Sequence, residues 1–155
     1  MKWGEEMSGE NIKELVDRYI TVSFSVTSIA ETLVKEQIGS DLTNDQHYML
    51  RYINQANSCT SSELAEVFNV KKSAITAIIT RMFEKGLIER TRDENDRRVV
   101  YLTLTDKGND MYEKAEDRIH KLVESLIKKF DPMEIKQFIE TYEKLNQVLI
   151  ESKEE

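Results

Sequence analysis

Residues 60–104, TSSELAEVFNVKKSAITAIITRMFEKGLIERTRDENDRRVVYLTL, decide the fold. Thr60 and Glu63 have the T-x-x-E spacing of a capping box, in which each side chain satisfies a backbone N–H that a helix start leaves free. Leu64, Ala65, Val67 and Phe68 follow as an apolar side, so a short helix begins at or just after Thr60. Asn69-Val70 makes a turn. A second helix is expected from about Lys72 to Lys85, closed by Gly86, with Ile75, Ile78, Ile79 and Met82 on its buried side. Its other side carries Lys72, Ser73, Thr76, Thr80 and Arg81. Leu87–Arg92 and Val99–Leu104 are apolar or β-branched enough to pair as a hairpin around the charged turn Asp93-Glu94-Asn95-Asp96-Arg97-Arg98. The order is helix, turn, helix, hairpin.

Charge is distributed unevenly about this stretch. The chain as a whole is acidic, 22 Lys+Arg against 29 Asp+Glu for a net −7, which argues against a general nucleic-acid coating role. Between Lys71 and Tyr101, eight basic residues face five acidic ones, a local +3 that leaves −10 for the remainder. A polyanion is attracted to one face and repelled by the rest, so a defined docking orientation is favoured.

The flanks extend outward as helices. Ile12, Leu15, Val16, Tyr19, Val22, Val26, Ile29, Ala30, Leu33 and Val34 recur at spacings of three and four, which predicts one long amphipathic helix over 11–38, stopped by Gly39. Thr43 caps a second helix that carries Met49, Leu50 and Ile53 and ends near Asn57. After the hairpin, Thr105 caps a helix whose stripe is Met111 or Tyr112, Ala115, Ile119, Leu122, Val123, Leu126 and Phe130. Asp131-Pro132-Met133-Glu134 stops it and starts a last helix, in which Ile135, Phe138, Tyr142, Leu145 and Leu149 make a short heptad seam. These flanks hold more apolar stripe than the central residues can cover, so the surplus is expected to bury itself against a second copy, through Ile12, Leu15 and Tyr19 at one end and the seam at the other. An intramolecular three-helix pack is the alternative.

At 155 residues with 39% hydrophobic content the chain has room for one sizeable core. The expectation is a single domain over 1–155, mainly α with a small β-hairpin wing (α+β): a winged helix-turn-helix core at 43–104 between dimerisation helices at 11–38 and 106–150. No apolar run reaches the roughly 20 residues that span a bilayer, and MKWGEEMSGE lacks the basic start and apolar middle of a signal peptide, so a cytoplasmic location with no membrane partner is expected. The single cysteine, Cys59, rules out an intrachain disulfide framework and a cysteine-rich zinc site, and without flanking Lys or Arg it reads as an inert small residue.

Such a core places one helix in a major groove and a charged loop beside it. In a minor groove only about 6 Å wide, a thin arginine fits where a helix does not, so Arg97 or Arg98 is the candidate probe. Asp96 helps only by holding one guanidinium through a bidentate bond. A solvated helix face and a solubilising hairpin tip are the bland alternatives.

The run SSELAEVFNVKKSAITAIITRMFEKGLIERTRDENDRRVVYLTLTDKG resembles the DNA-binding core of the MarR family of bacterial transcriptional regulators, down to its EKGLI, D-x-R and LT-x-x-G elements. DLTNDQHYMLRYI resembles the family's second helix, and the likeness extends over about residues 10–150. The resemblance implies a triangular homodimer on a pseudo-palindromic double-stranded operator, repressing nearby genes and released by a small ligand or oxidant. By position it implies Lys71, Lys72, Ser73, Ala74 and Thr76 in the major groove, and Arg98 in the minor groove with Asp96 as its orienter. Ser61, Ser62, Arg81, Arg92 and Arg97 complete the expected DNA-binding set. Effector pockets in the family lie where dimerisation helices meet the winged core, which nominates Tyr19, His47, Arg51 and Met111. Two departures stand out. Lys71 occupies a position that often holds Ser, so a side-chain cap is lost and phosphate attraction gained, and the first helix lacks the reactive cysteine of peroxide-sensing members.

Other chemistries are weaker. His120 with Glu116 one turn earlier, and His47 from the second helix, would suit the family's zinc-responsive branch, but no third ligand is forced by spacing and no metal or cofactor is expected. No Gly-rich phosphate loop or nucleophile–base constellation is present, so catalysis is not expected. The rival reading is a winged-helix protein-interaction or anti-repressor module without its own operator.

Overall fold

The computed structural model describes residues 9–154. The amino-terminal stretch on which the leader reading rests lies, as far as residue 8, outside the described residues. The elements are α1 (Gly9–Ile38), α2 (Asn44–Ala56), α3 (Ser61–Val67), α4 (Lys72–Glu84), β1 (Ile88–Arg92), β2 (Val100–Leu104), α5 (Asp106–Ile127) and α6 (Pro132–Glu154). They fall into two compact units, Met1–Ala115 and Glu116–Glu155, with α5 running through the boundary.

In the first unit the ends of the helices are set by local chemistry. Thr43 and Gln46 close a reciprocal capping box: Thr43 Oγ1 accepts from Gln46 N–H at 3.1 Å and Gln46 Oε1 accepts from Thr43 N–H at 3.2 Å. At Thr60, where the sequence suggested the box, the hydroxyl caps Glu63 N–H at 3.2 Å and the structure shows that arm alone. The turn between α3 and α4 is a Schellman motif with Asn69 at φ 53°: Asn69 N–H donates to Glu66 O and Val70 N–H to Ala65 O, both at 3.1 Å. The same motif ends α4, where Gly86 (φ 73°) donates to Phe83 O at 2.9 Å and Leu87 to Met82 O at 3.0 Å. Because Leu87 belongs to this motif, β1 begins one residue later than the alternation suggested.

β1 and β2 pair antiparallel, from Ile88 opposite Leu104 to Arg92 opposite Val100. Cys59 adds a one-residue bridge on the other side of β2, donating to Leu102 O at 3.2 Å and accepting from Leu102 N–H at 2.7 Å. The cysteine read as a loop residue therefore sits at the edge of the sheet, 1% exposed. Met49, Leu50 and Ile53 of α2, Leu64 of α3, Ile75, Ile79 and Met82 of α4, and Leu102 form the core. Ile78, expected in it, is only half-buried. Thr105 joins wing to α5: its hydroxyl donates to Gly86 O at 2.6 Å and accepts Gly108 N–H at 2.9 Å.

On α1, Ile12, Leu15 and Tyr19 are exposed, as are Ile20, Val22 and Phe24. In the second unit α6 starts at Pro132 after the Asp131 cap, whose carboxylate accepts Met133 N–H at 3.0 Å. No residue of α6 is buried. Phe138, Tyr142 and Leu149 are exposed, with Phe138 stacked on Tyr142 at 5.4 Å, while Ile135 and Leu145 are half-buried. Among the described residues no helix is long and apolar enough to cross a membrane.

Candidate nucleic-acid interface

The outward side of α4 is built from short side chains. Ser73, Ala74, Thr76, Ala77 and Thr80 are all exposed, opposite the buried Ile75, Ile79 and Met82. Small residues let a helix backbone come close to base edges and leave methyl groups for thymine. Two hydroxyls are committed inside the helix: Thr76 donates to Lys72 O at 2.8 Å and Thr80 to Thr76 O at 2.9 Å. Thr76 thus offers an acceptor and a methyl rather than a donor. Lys71 is the N-cap residue and makes no side-chain cap bond, so the ammonium and the open N–H groups of the first turn are both presented to solvent. Lys72, Ser62 and Arg81 are exposed, Arg81 in the last turn of α4, and Ser61 is half-buried at the start of α3.

The wing carries the strongest geometry. Arg98 donates through Nε to Asp96 Oδ1 at 3.0 Å and through Nη2 to Oδ2 at 3.2 Å, the bidentate pair the sequence required, and its backbone N–H adds a third bond to Oδ1 at 3.1 Å. The Arg98 side chain is 91% exposed, so the pair aims the guanidinium outward without burying it. Arg98 holds the Asp96 carboxyl below the usual carboxylate range, which keeps the pair ionised. Arg92, also exposed, folds back on the loop instead: its Nη1 donates to Arg97 O at 2.9 Å, making it a brace. Arg97 is exposed. Beside the wing, the Arg90 guanidinium lies 4.7 Å over the Phe83 ring, which couples the end of α4 to β1.

Several interface groups lie outside the set read from sequence. Ala77 and Arg90 are exposed on α4 and β1, and Asp93 and Tyr101 are tied by a hydrogen bond at 3.2 Å. In the sequence Arg90 and Asp93 register only as charges in the local balance, and Ala77 and Tyr101 not at all, because the placement of each depends on helix phase or strand register.

The residues nominated for an effector are placed differently. His47 is 2% exposed, edge-on to Tyr48 at 5.5 Å and stacked on Tyr112 at 6.3 Å. Burial, then the Arg51 charge, pushes its pKa below the ordinary value. Arg51 and Met111 are half-buried and Tyr19 is exposed on α1. Tyr112 rather than Met111 is the buried member of the α5 stripe. A shallow recess lies on the first turns of α1, among Asn11, Lys13, Glu14, Asp17 and Arg18, apart from all four nominated residues. His120 pairs with Glu116 at 3.0 Å on an exposed face of the second unit, and no three His, Cys, Asp or Glu side chains among the described residues are grouped to hold a metal. Burial, with the nearby Glu63 charge, pushes the Cys59 thiol up to about 11, which leaves little thiolate at neutral pH.

A short capped helix, a Schellman turn, a second helix with an open outer face and a hairpin with an outward arginine define a winged helix-turn-helix. The MarR family profile matches residues 42–100. The chain is 31% identical over 98 residues to the HTH-type transcriptional regulator BilQ of Clostridium symbiosum, covering 63% of this chain and 68% of BilQ. Among solved structures, Streptococcus pneumoniae FabT in complex with DNA aligns with TM-score 0.71 and 30% identity over 90% of this chain and 98% of that one. A MarR variant from E. coli complexed with operator DNA aligns with TM-score 0.74 and 26% identity, covering 84% and 94%. The chain belongs to the MarR family of transcriptional regulators. It is a regulator rather than an enzyme.

Proposed function

We propose that this chain acts in the cytoplasm as a homodimeric repressor that binds a pseudo-palindromic double-stranded operator and leaves it when a small effector binds. The observation that carries the reading is the Asp96–Arg98 pair, which holds an exposed guanidinium outward at a hairpin tip beside a helix with a small, polar outer face. In this reading Lys71, Lys72, Ser73, Ala74, Thr76 and Ala77 meet the major groove, Ser61, Ser62, Arg81 and Arg97 meet phosphates or their surroundings, and Arg98 enters the minor groove. The local +3 orients the approach. Relatives with repressor names and structures solved with DNA support it, as does the MdtR repressor of Bacillus subtilis at 33% identity over 98 residues. The apolar residues exposed on α1 and on α6 support the dimer, and the single domain expected over the whole chain is one protomer of it. The aromatic cluster of His47, Tyr48 and Tyr112 supports an effector site near α2.

The test is duplex binding with DNA enriched from a random library by the wild-type protein. Affinity should fall with log salt at a slope of about −0.9 per phosphate contacted, and footprints should show half-sites about 10 bp apart or a multiple of that. Arg98→Ala should weaken binding about 10-fold or more, by the roughly 1–3 kcal/mol such contacts carry. A salt-independent or absent duplex interaction overturns the reading in favour of a protein-interaction module. Thermal-shift screening against phenolics, metals and oxidants, with and without the duplex, identifies the effector class.

A further inference from the structure

We propose that Tyr101 and Asp93 are positioning residues for the wing arginine, a phenol on β2 and a carboxylate at the exit of β1 that together fix where Arg98 points. The proposal rests on the reading of Arg98 as a DNA-contacting group and adds the residues that aim it. Tyr101 lies across the hairpin from Thr91, and its hydroxyl donates to Asp93 Oδ2 at 3.2 Å. The other oxygen, Oδ1, accepts the backbone N–H of Asn95 at 2.8 Å and of Asp96 at 3.0 Å. Asp96 in turn holds Arg98 through both carboxylate oxygens. The hydrogen bonds run without a break from the sheet to the tip: Tyr101 to Asp93, Asp93 to the backbone of Asp96, Asp96 to Arg98.

The anchored end of this run is rigid. Leu102, next to Tyr101, is 2% exposed, lies opposite Arg90 in the strand pairing and exchanges both of its backbone hydrogen bonds with Cys59 on the other side. The loop is tied to the hairpin through its backbone, with Asp93 N–H donating to Val99 O and Val99 N–H to Asp96 O, both at 3.0 Å, and Arg92 braces the Arg97 carbonyl. Tyr101 adds the side-chain link from the opposite strand to the carboxylate that gathers the tip amides. Charge gives an independent reason: a carboxylate in a loop that approaches phosphates is repelled by them, so Asp93 weakens binding unless what it arranges is worth more. Asp96 is accounted for by its arginine. Asp93 is accounted for by the loop it organises and the phenol it holds. The loop amides, and after them the Tyr101 hydroxyl, also hold its carboxyl below the usual range, so the acceptor stays ionised.

The experiment compares wild type, Tyr101→Phe, Asp93→Asn, Arg98→Ala and the Tyr101→Phe/Arg98→Ala double variant on the enriched duplex at fixed salt, with melting temperature measured alongside. Phe keeps the ring and removes only the hydroxyl, and Asn keeps an oxygen for the loop amides while removing the charge. Each is expected to weaken binding about 3- to 10-fold, the range of one net hydrogen bond felt indirectly through Arg98, with little change in melting temperature. In the Arg98→Ala background Tyr101→Phe is expected to have no further effect, because a positioning residue acts through the group it positions. The Arg98 Nε–Hε resonance of free Tyr101→Phe should show faster motion than in wild type. Equal losses in both backgrounds, or no loss from Tyr101→Phe while Arg98→Ala weakens binding, overturn the proposal and leave the wing reading intact. Wild-type affinity in Arg98→Ala overturns the wing reading and the proposal with it.

Discussion

Asp96 and His47 show opposite uses of a titratable group. Asp96 is half-exposed, and Arg98 first of all holds its pKa below the ordinary value, so the wing is an ion pair at neutral pH. His47 is buried among aromatic rings, and burial pushes its pKa below 6.5. A histidine whose folded-state pKa is depressed contributes stability that is fully present above the unfolded value of 6.5 and is lost as pH falls through the folded value, since the unfolded chain takes up the proton more readily. The wild-type melting temperature should therefore decline between about pH 7 and pH 5, with the His47 share missing from His47→Phe, which keeps the ring without the proton. Subtracting the two profiles isolates that share; a flat difference would sink the assignment. Because Tyr112 and Tyr48 pack on the same ring, a ligand that reorders this cluster would also move the profile.

At the level of elements, the helix borders were legible because they are written within a few residues. Thr43, Thr60, Gly39 and Asp131 mark their helices through their own backbone neighbours, and the Asn69 and Gly86 turns are six-residue motifs. What stayed illegible joins distant residues: the Tyr101–Asp93 bond depends on strand register, the Cys59–Leu102 bridge on how the segment before α3 passes β2, and the Arg92–Arg97 bond on the loop's path. Gly108 belongs to this second group. It reads as the end of an LT-x-x-G pattern, yet its reason lies 21 positions earlier: a Cβ there would collide with the Leu87 carbonyl oxygen. Gly108→Ala should push α5 off the wing and destabilise the fold by about 1–3 kcal/mol, lowering the midpoint by roughly 3–10 °C. A thermal midpoint unchanged from wild type would show that the approach is looser than the structure has it. Lys71 makes the complementary case at the start of α4. Replacing it with Ser restores a cap worth about 0.5–2 kcal/mol while removing a cation from the groove-facing turn. Lys71→Ser should raise the midpoint, weaken duplex binding and reduce the log–log salt slope of the dimer by about 1.8, one phosphate contact from each protomer. Unchanged binding with an unchanged slope would remove Lys71 from the interface.

For the molecule as a whole, the apolar residues that α1 and α6 leave exposed set the condition under which the reading head works. One protomer offers one α4 and one wing, which read half of a two-fold symmetric site, and two half-site energies combine only when assembly has already fixed their spacing. The residues for testing assembly are those that a single chain does not need. Leu145 is half-buried in the single chain, so a charge there perturbs folding as well as pairing, whereas Leu149 is 56% exposed and Tyr142 59% exposed. Leu149→Lys should leave the helical circular dichroism and the melting of the winged core nearly intact while placing an unpaired ammonium in the proposed seam. Sedimentation at micromolar concentration should then shift from a dimer toward the 18.1 kDa single chain, with the stronger effect in a Tyr142→Lys/Leu149→Lys pair. Duplex affinity should drop together with assembly, and the remaining binding should footprint a single half-site with about half the wild-type salt slope, because half the phosphates are contacted. A dimer that persists in the double variant moves the interface off this seam and onto the other exposed apolar surface, Ile12, Leu15 and Tyr19 of α1, where Leu15→Lys makes the same measurement.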